Sequence, residues 1–297
     1  DELGQLKKKR LHVIDADQLE TLDYEHNIRG WLKGINKGFV TAANSTANWF
    51  GQELSYDYGF SDKQVNGNIA GIRWKSRSDG LGRAYGYNYD NADRLTLADF
   101  TQNNSAADMS NWYQTQQDYT VSGLTYDANG NILTMNQKGK IGTGAPSVID
   151  QLTYRYKLNE TSTVSNKLAA VGDPINTAAA KLGDFQNGNT AGDDYDYDAN
   201  GNLIKDLNKN ITAISYNHLN LPELITIPGK GNVRYLYDAA GTKLRKVVTD
   251  NTTSTAKITT TDYIGGIVYR NDTMELIGHE EGRIRPVFKS GQPVQYY

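Results

Sequence analysis

The sequence has no cysteine among its 297 residues, and this excludes disulfide bonds and thiolate metal sites. It has only 4 histidines, so a nucleophile with a histidine base is hard to assemble. Stability must then come from side-chain packing and from the hydrogen bonds between backbone segments.

Long apolar runs are also missing, since no stretch approaches the about 18 residues that a membrane-spanning helix needs. The start, Asp1 to Gly4, is not a signal peptide, and there is no methionine at position 1. We therefore expect an excised segment of a longer protein, with the export signal outside this segment. The lack of cysteine is compatible with the secreted or cell-surface location that we expect for it.

The charge is nearly balanced, with 31 Lys and Arg against 34 Asp and Glu and a formal net charge of -3. The basic cluster Lys7 to Arg10 is the one local excess of a single sign. A basic run this short is typical of a solvated strand or turn, so we do not expect nucleic-acid binding.

The aromatic residues are strongly biased towards tyrosine, with 20 Tyr against 6 Phe and 4 Trp, and they accompany 29 Gly but only 6 Pro. Tyrosine suits a pleated surface because its ring can pack while its hydroxyl finds a polar partner. Abundant Gly, Asn and Asp supply turns. This composition predicts many short strands joined tightly.

A short motif, Tyr-Asp-x-x-Gly followed closely by Leu or Ile, recurs along the chain. Clear copies begin at Tyr126, Tyr197 and Tyr237, weaker copies begin at Tyr89 and Tyr216, and a further relative spans Tyr24 to Gly30. The copies at Tyr197, Tyr216 and Tyr237 are separated by 19 and 21 residues, which is about one hairpin per repeat.

Each residue of the motif has a physical role in a turn. Asp127 falls at the first position of a type I turn, where its carboxylate can accept from a backbone N–H two residues on. Gly130 falls at the fourth position, where the chain turns into a left-handed conformation that only glycine adopts without a Cβ penalty. We therefore predict a positive φ at Gly130, Gly201 and Gly241. The candidate site is structural and consists of the turn residues Tyr89, Asp90, Tyr126, Asp127, Gly130, Tyr197, Asp198, Gly201, Tyr237, Asp238 and Gly241.

Two segments are less repetitive and rich in polar or small residues, near 101–117 and near 159–192. We predict that both are long loops inserted into a single YD-repeat domain spanning 1–297. The best helix candidates, both short and Ala-rich, are Asn166 to Ala170 and Thr177 to Leu182.

The motif resembles the repeat unit of the RHS/YD-repeat family, which includes bacterial polymorphic-toxin shells, the cocoon subunits of insecticidal toxin complexes and teneurins. Tyr126 to Ile132 and Tyr197 to Leu203 match the family unit fully, and the likeness extends from about Tyr24 to the end. Tyr154 to Tyr156 departs from it, because no Asp or Gly follows in register. The segments that resemble flanking blocks of long RHS proteins from Bacteroidetes-type bacteria are Asn27 to Leu32, Gly67 to Trp74 and Glu281 to Arg285.

The resemblance implies an all-β fold in which antiparallel YD hairpins form a continuous curved or spiralling β-sheet, part of a β-cocoon shell. It further implies a non-catalytic structural segment of a shell that encapsulates or presents a C-terminal toxin or effector. The implied partners are the flanking RHS core and the C-terminal toxin domain, both outside this chain. The resemblance implies no cofactor.

Three segments resemble catalytic or metal-binding motifs only in part. His279 to Arg283 begins like a zinc protease motif but lacks the second histidine. Asp196 to Gly201 matches the first half of a calcium-binding loop, but Leu207 stands at the twelfth position, where a bidentate Glu is required. The adjacent carboxylates of Asp193 and Asp194 would point to opposite faces of a strand, so they cannot flank one glycosidic bond without a bulge. We therefore predict no catalytic, cofactor-binding or metal-binding residues, and no enzyme.

An extracellular carbohydrate-binding or adhesion module is the alternative, with cell-surface glycans as partners, because exposed Tyr and Trp beside Asp and Asn are suited to sugar recognition. The two hypotheses differ in one feature. A shell predicts YD tyrosines stacked in ladders between neighbouring hairpins, whereas a lectin predicts aromatic residues grouped in an exposed groove.

Overall fold

The computed structural model describes residues 2–14, 17–159, 164–175, 184–280, 282–291 and 294–296. Within these ranges the regular structure comprises twenty-three β-strands, one α-helix and one 3₁₀ helix. The predicted all-β class is therefore confirmed.

The first sheet has eleven strands whose order in the sheet follows their order in the chain. The pairs that join the first ten of them are antiparallel, as a run of hairpins requires. A short helix, α1 (Lys37–Thr41), interrupts the run between the third and fourth strands. The strands are β1 (Lys8–Ile14), β2 (Asp17–His26), β3 (Leu32–Ile35), β4 (Phe50–Ser55), β5 (Gly71–Ser76), β6 (Gly82–Tyr89), β7 (Leu95–Gln102), β8 (Val121–Tyr126), β9 (Ile132–Gly139), β10 (Ser147–Leu158) and β11 (Val164–Gly172).

Three further sheets follow, with two, eight and two strands, again in chain order. The first pair is β12 (Tyr195–Tyr197) and β13 (Leu203–Asp206), and the last pair is β22 (Pro286–Val287) and β23 (Gln295–Tyr296). The eight-stranded sheet contains β14 (Ala213–Tyr216), β15 (Pro222–Ile227), β16 (Gly231–Tyr237), β17 (Lys243–Asp250), β18 (Lys257–Ile264), β19 (Ile267–Arg270), β20 (Thr273–His279) and β21 (Gly282–Ile284).

The strand order agrees with consecutive hairpins, but the ladder is divided into four sheets where the sequence predicted one continuous sheet. One interruption, between β13 and β14, has a local cause. Asp206 accepts a hydrogen bond from the backbone N–H of Lys209 and so begins a 3₁₀ helix (Leu207–Lys209) in place of further strand. Asn210 ends that helix in the left-handed conformation, with φ of 56°.

The chain divides into two compact units, residues 1–155 with 171–185, and residues 156–170 with 186–297. The first unit contains most of the buried apolar side chains, among them Phe39, Val40, Phe100, Leu124 and Ile149. In the second unit Ala169 is fully buried, but most strand residues are only half-buried. The expectation of a single repeat domain remains a prediction.

The two less repetitive segments differ from each other in the structure. Residues 103–120 connect β7 to β8 with only isolated bridges, much as a loop near 101–117 predicts. Within 159–192, however, β11 occupies Val164–Gly172, so the helix predicted at Asn166 to Ala170 is wrong. Burial there alternates with a period of two, Ala169 and Val171 being buried, and alternation of this kind places a strand against a sheet rather than a helix. The other helix candidate, Thr177 to Leu182, lies outside the described residues.

Candidate functional site

The turn from Tyr126 to Ile132, which joins β8 to β9, has the geometry predicted for the motif. The N–H of Gly130 donates to the carbonyl of Asp127 at 3.1 Å, and the N–H of Asp127 donates to the carbonyl of Asn131 at 2.9 Å. The Asp127 carboxylate accepts from the backbone N–H groups of Asn129 and Asn131, each at 2.8 Å. The carboxylate thus bonds two backbone N–H groups of the turn and, with the two backbone hydrogen bonds, holds the turn closed.

The same arrangement recurs at the other copies. The backbone N–H groups two and four residues after each aspartate donate to its Oδ1 atom at distances between 2.8 and 3.0 Å, at Asp90, Asp198 and Asp238. The aspartate therefore accepts the same two turn N–H groups in all four copies that have one, and the tyrosine before it is the last residue of the preceding strand.

The fourth position of the turn is left-handed in every case. Gly130, Gly201 and Gly241 have φ of 87°, 86° and 86°, which confirms the prediction. In the weaker copies Asp93 and Asn220 take the same position with φ of 60° and 56°. Aspartate and asparagine are the residues other than glycine that tolerate this conformation best, so the degenerate copies conserve the geometry without the glycine.

Two copies use asparagine in place of the aspartate. Asn217 accepts from the N–H groups of Leu219 and Leu221 through Oδ1, at 2.9 and 3.1 Å. Asn27 accepts likewise from Arg29 and Trp31, at 2.9 and 3.0 Å. The first copy is therefore centred on the Asn27 turn, and its tyrosine position is occupied by His26. The register proposed from Tyr24 was wrong by two residues, because a side-chain acceptor rather than a tyrosine fixes the turn.

The hydrogen bonds of the turn hold the pKa of its aspartates below the usual range. For Asp127 and Asp198 the largest cause is the side-chain amide of the asparagine four residues on. For Asp90 the largest cause is the Arg94 guanidinium, and for Asp238 it is a backbone N–H. Each carboxylate is therefore fixed in the ionised, accepting form.

The tyrosine of each unit links its own hairpin to the preceding one. The hydroxyl of Tyr126 donates to the carbonyl of Leu95 at 2.5 Å, and the hydroxyl of Tyr216 donates to the carbonyl of Leu203 at 2.7 Å. Both acceptors begin the second strand of the preceding hairpin, β7 and β13. We call this contact the tyrosine link.

The tyrosine link recurs along both units. Tyr56, Tyr89, Tyr197 and Tyr237 donate to the carbonyls of Leu32, Ile69, Leu168 and Pro222 at 3.0, 2.8, 3.0 and 3.1 Å. Tyr56 was not among the residues predicted from the sequence, although the Tyr-Asp dipeptide that it forms with Asp57 could have identified it. Burial raises the pKa of these tyrosines, so their hydroxyls stay protonated and act as donors.

The predicted stacking of YD tyrosines is corrected by this geometry. Among the described residues, no ring contact joins two tyrosines of the YD units. The hairpins are linked by hydroxyl-to-carbonyl hydrogen bonds instead. A cation adds to one of these links, since the Arg94 guanidinium lies 4.6 Å from the ring centre of Tyr126, bonds Asp90 and donates to the carbonyl of Asp127.

The resemblance of Asp196 to Gly201 to the first half of a calcium-binding loop is explained by turn and strand contacts. The Asp196 carboxylate is bonded by Lys157 and Lys205 at 3.2 and 3.4 Å. The Asp198 carboxylate is bonded by its own turn and by the Asn202 amide. In the segment that begins like a zinc protease motif, His279 is the last residue of β20.

Three other carboxylates come together where sequence reasoning expected none. In the part of the chain that the structure describes, Asp150, Asp173 and Asp184 each offer an oxygen within 4.8 Å of the others, the only such group of potential metal ligands. Asp150 accepts the N–H of Phe185 at 2.6 Å, and burial raises its pKa, with the two neighbouring carboxylates adding to the effect. Residues so distant in sequence give no local motif, so only the fold brings them together.

Nothing among the described helices is long and apolar enough to span a bilayer.

No known family model matches the chain, and no curated protein matches its sequence. Solved structures do match. The chain is similar to the crystal structure of TcdB2-TccC3 without its hypervariable C-terminal region, with a TM-score of 0.52 and 15% identity over 92% of this chain and 12% of that one. TcdB2-TccC3-TEV matches with a TM-score of 0.41 and 13% identity over 97% and 14% of the two chains. A mutant Tc holotoxin pore from Photorhabdus luminescens matches with a TM-score of 0.42 and 12% identity over the same shares.

The first of these matches shows a shared fold, and the chain spans only 12% of the length of that structure. The resemblance to toxin-complex chains that the YD motifs predicted is therefore confirmed at the level of the fold.

Proposed function

We propose that this chain is a non-catalytic wall segment of an RHS/YD-repeat shell, and that the protein it belongs to encapsulates or presents a C-terminal toxin or effector. The tyrosine link is the observation that best supports the proposal. A bond from the tyrosine of a YD hairpin to the preceding hairpin makes one repeat depend on its neighbour, as in other repeat structures whose stability comes from neighbouring units. The recurring residues therefore serve the construction of a wall.

The protonation state of the motif side chains supports a structural role over a role in acid–base catalysis. A general acid or base works best with a pKa near the operating pH. The pKa of Asp127 and Asp198 is shifted down by hydrogen bonds, and the pKa of Tyr197 is shifted up by burial, so all three move away from neutrality. Their polar atoms also already bond neighbouring residues.

The proposed partners are the flanking RHS core and a C-terminal toxin domain, and the proposed location is outside the cell or on its surface. A shell of this kind acts on its cargo by excluding other macromolecules from it. Protection of the cargo from proteases is therefore the property to measure.

The test uses the longer polypeptide in which this segment is followed by the proposed toxin domain. Limited proteolysis should leave the C-terminal domain intact in the assembled protein, and should degrade it quickly once urea opens the wall. A matched variant, Tyr216→Phe with Tyr237→Phe, removes two tyrosine links and should shift the loss of protection to lower urea. Equal cleavage rates for the domain in the assembled protein and on its own would overturn the proposal.

A further inference from the structure

A cavity of about 460 Å³ lies beside the Asn27 turn in the first unit. Three aromatic side chains line it, Trp31, Tyr56 and Tyr58, together with the polar side chains of His26 and Gln64. A space of this size with aromatic walls and a few polar groups is typical of small-molecule sites. Of these side chains, only Tyr56 and His26 occupy positions of the repeat motif, so the motif does not account for the others.

The aromatic side chains that line the cavity are held in place from several sides. The rings of Trp31 and Tyr56 are 5.2 Å apart, and the Tyr56 hydroxyl donates to the carbonyl of Leu32 at 3.0 Å. A Cβ atom on Gly67 would come within 3.2 Å of the Trp31 ring, so the indole fills the space beside that glycine. The N–H of Gln64 donates to the carbonyl of Tyr56 at 2.7 Å and fixes the opposite segment. The cavity is therefore largely preformed.

The charge at the cavity is positive. Arg29 and Lys33 line it, and in the described part of the chain neither forms an ion pair. Lys37, which also lies near the Tyr58 ring, differs because Glu53 binds it at 3.1 Å. Two cations whose charge is not compensated by an ion pair face one carboxylate in the lining, Asp57.

The two cations are positioned by the aromatic rings. The Arg29 guanidinium lies 5.1 Å from the centre of the Trp31 ring and donates to the carbonyl of Val65 at 3.1 Å, and Lys33 lies 5.5 Å from the centre of the Tyr58 ring. Cations held over rings in this way keep donor groups free for a further acceptor. A carboxylate is an acceptor whose two oxygens match the planar fork of a guanidinium.

We propose that this cavity binds an acidic sugar, a pyranose that carries a carboxylate. The ring carbons of a pyranose present C–H groups that pack on aromatic side chains such as Trp31 and Tyr58. Its hydroxyls are hydrogen-bond donors and acceptors, for which Asp57 and Gln64 provide partners of both kinds. Its carboxylate would bind Arg29 and Lys33. The proposal concerns ligand binding on the wall and stands apart from the encapsulation of a cargo.

The test is a titration of the purified chain with methyl β-D-glucuronide, followed by calorimetry or by ligand-observed NMR. Methyl β-D-glucoside supplies the same ring without the charge, and acetate supplies the carboxylate without the ring. We expect the glucuronide to bind about tenfold more tightly than either, with an affinity that falls as salt is added.

Two variants and one control locate the site. Arg29→Gln and Lys33→Gln should each weaken glucuronide binding by about tenfold, as loss of a charged hydrogen bond implies. Arg77→Gln is the matched control, because Arg77 lies 4.7 Å from the Trp49 ring in the same unit but outside the cavity. If one pocket variant fails to fold, the other still tests the site.

The proposal is overturned by the absence of glucuronide binding at millimolar concentration, by equal binding of the glucoside or of acetate, or by an equal loss of binding in Arg77→Gln. A wall that protects its cargo in the protease experiment would remain established in any of these cases.

Discussion

The hydroxyl of Tyr216 donates to the carbonyl of Leu203 at 2.7 Å, and this bond connects the hairpin of β14 and β15 to the two-stranded sheet of β12 and β13. The two strands on either side, β13 and β14, belong to different sheets. The tyrosine link therefore continues between repeats even where the backbone ladder is interrupted. This explains why the tyrosine recurs where the strands of neighbouring repeats are not paired in one sheet.

Replacing Tyr216 by phenylalanine should lower the free energy of unfolding by about 0.5–1.5 kcal/mol, the usual net worth of one intramolecular hydrogen bond. The ring is retained, so the loss reports the hydroxyl alone. Urea denaturation followed by circular dichroism measures the change.

Tyr269→Phe is the matched control in the same unit, since the hydroxyl of Tyr269, on β19, has no hydrogen bond to any described residue. It should change stability little. Equal losses in Tyr216→Phe and Tyr269→Phe would show that the tyrosine link contributes nothing specific.

The sequence predicted the turn geometry closely because the constraint is local. Asp127 and Gly130 are three residues apart, and their contacts are made within one turn. The period of the motif likewise predicted consecutive antiparallel hairpins.

Features that depend on partners distant in sequence could not be predicted. The acceptor of Tyr126 is Leu95, 31 residues earlier, and nothing in the motif names it. The strand at Val164–Gly172 was missed because the run from Lys167 to Ala170 favours a helix locally, while pairing in the sheet decides otherwise. The carboxylates around Asp150 come together only in the folded chain.

Replacing Gly130 by valine should cost about 1–3 kcal/mol, because a β-branched residue is strained at a φ of 87°. A Cβ atom at this position would meet no other atom within 4 Å, so the cost comes from the backbone conformation. The melting temperature or the urea midpoint would report the loss.

Gly130→Asn is the matched variant, because Asn220 already occupies the equivalent position with φ of 56°. It should cost clearly less than the valine variant. If the two variants were equally destabilising, backbone strain at this position would not be the cause.

Asp198→Asn should weaken the dependence of stability on acid pH. The folded pKa of Asp198 lies below its usual value of 3.8, mainly because of the Asn202 amide, so the carboxylate stabilises the folded state above the unfolded pKa. That contribution is lost as pH falls through the folded pKa. An asparagine does not titrate, and Asn217 shows that an amide oxygen can close the same turn.

Urea midpoints measured from neutral pH to below 3.8 should fall less steeply for Asp198→Asn than for the unmodified chain. A parallel fall in both proteins would mean that this carboxylate makes no pH-dependent contribution to folding.

Asp150→Asn should have the opposite effect. Asp150 is almost fully buried, and burial is the main cause that raises its pKa above 3.8. The folded state therefore binds a proton more tightly than the unfolded state, and stability declines as pH rises from the unfolded pKa through the folded one. The amide oxygen of asparagine can still accept the N–H of Phe185, which Asp150 accepts at 2.6 Å.

We therefore expect Asp150→Asn to be more stable than the unmodified chain at neutral pH, with the difference shrinking as pH falls from the raised folded pKa towards the unfolded value of 3.8. Asp62→Asn, at an exposed carboxylate of the same unit, is the matched control and should show no such trend. Urea midpoints across the pH series measure both. A less stable Asp150→Asn at neutral pH would show that the buried carboxylate is stabilised in its charged form, which would contradict the raised pKa and the dominance of burial over its hydrogen bond.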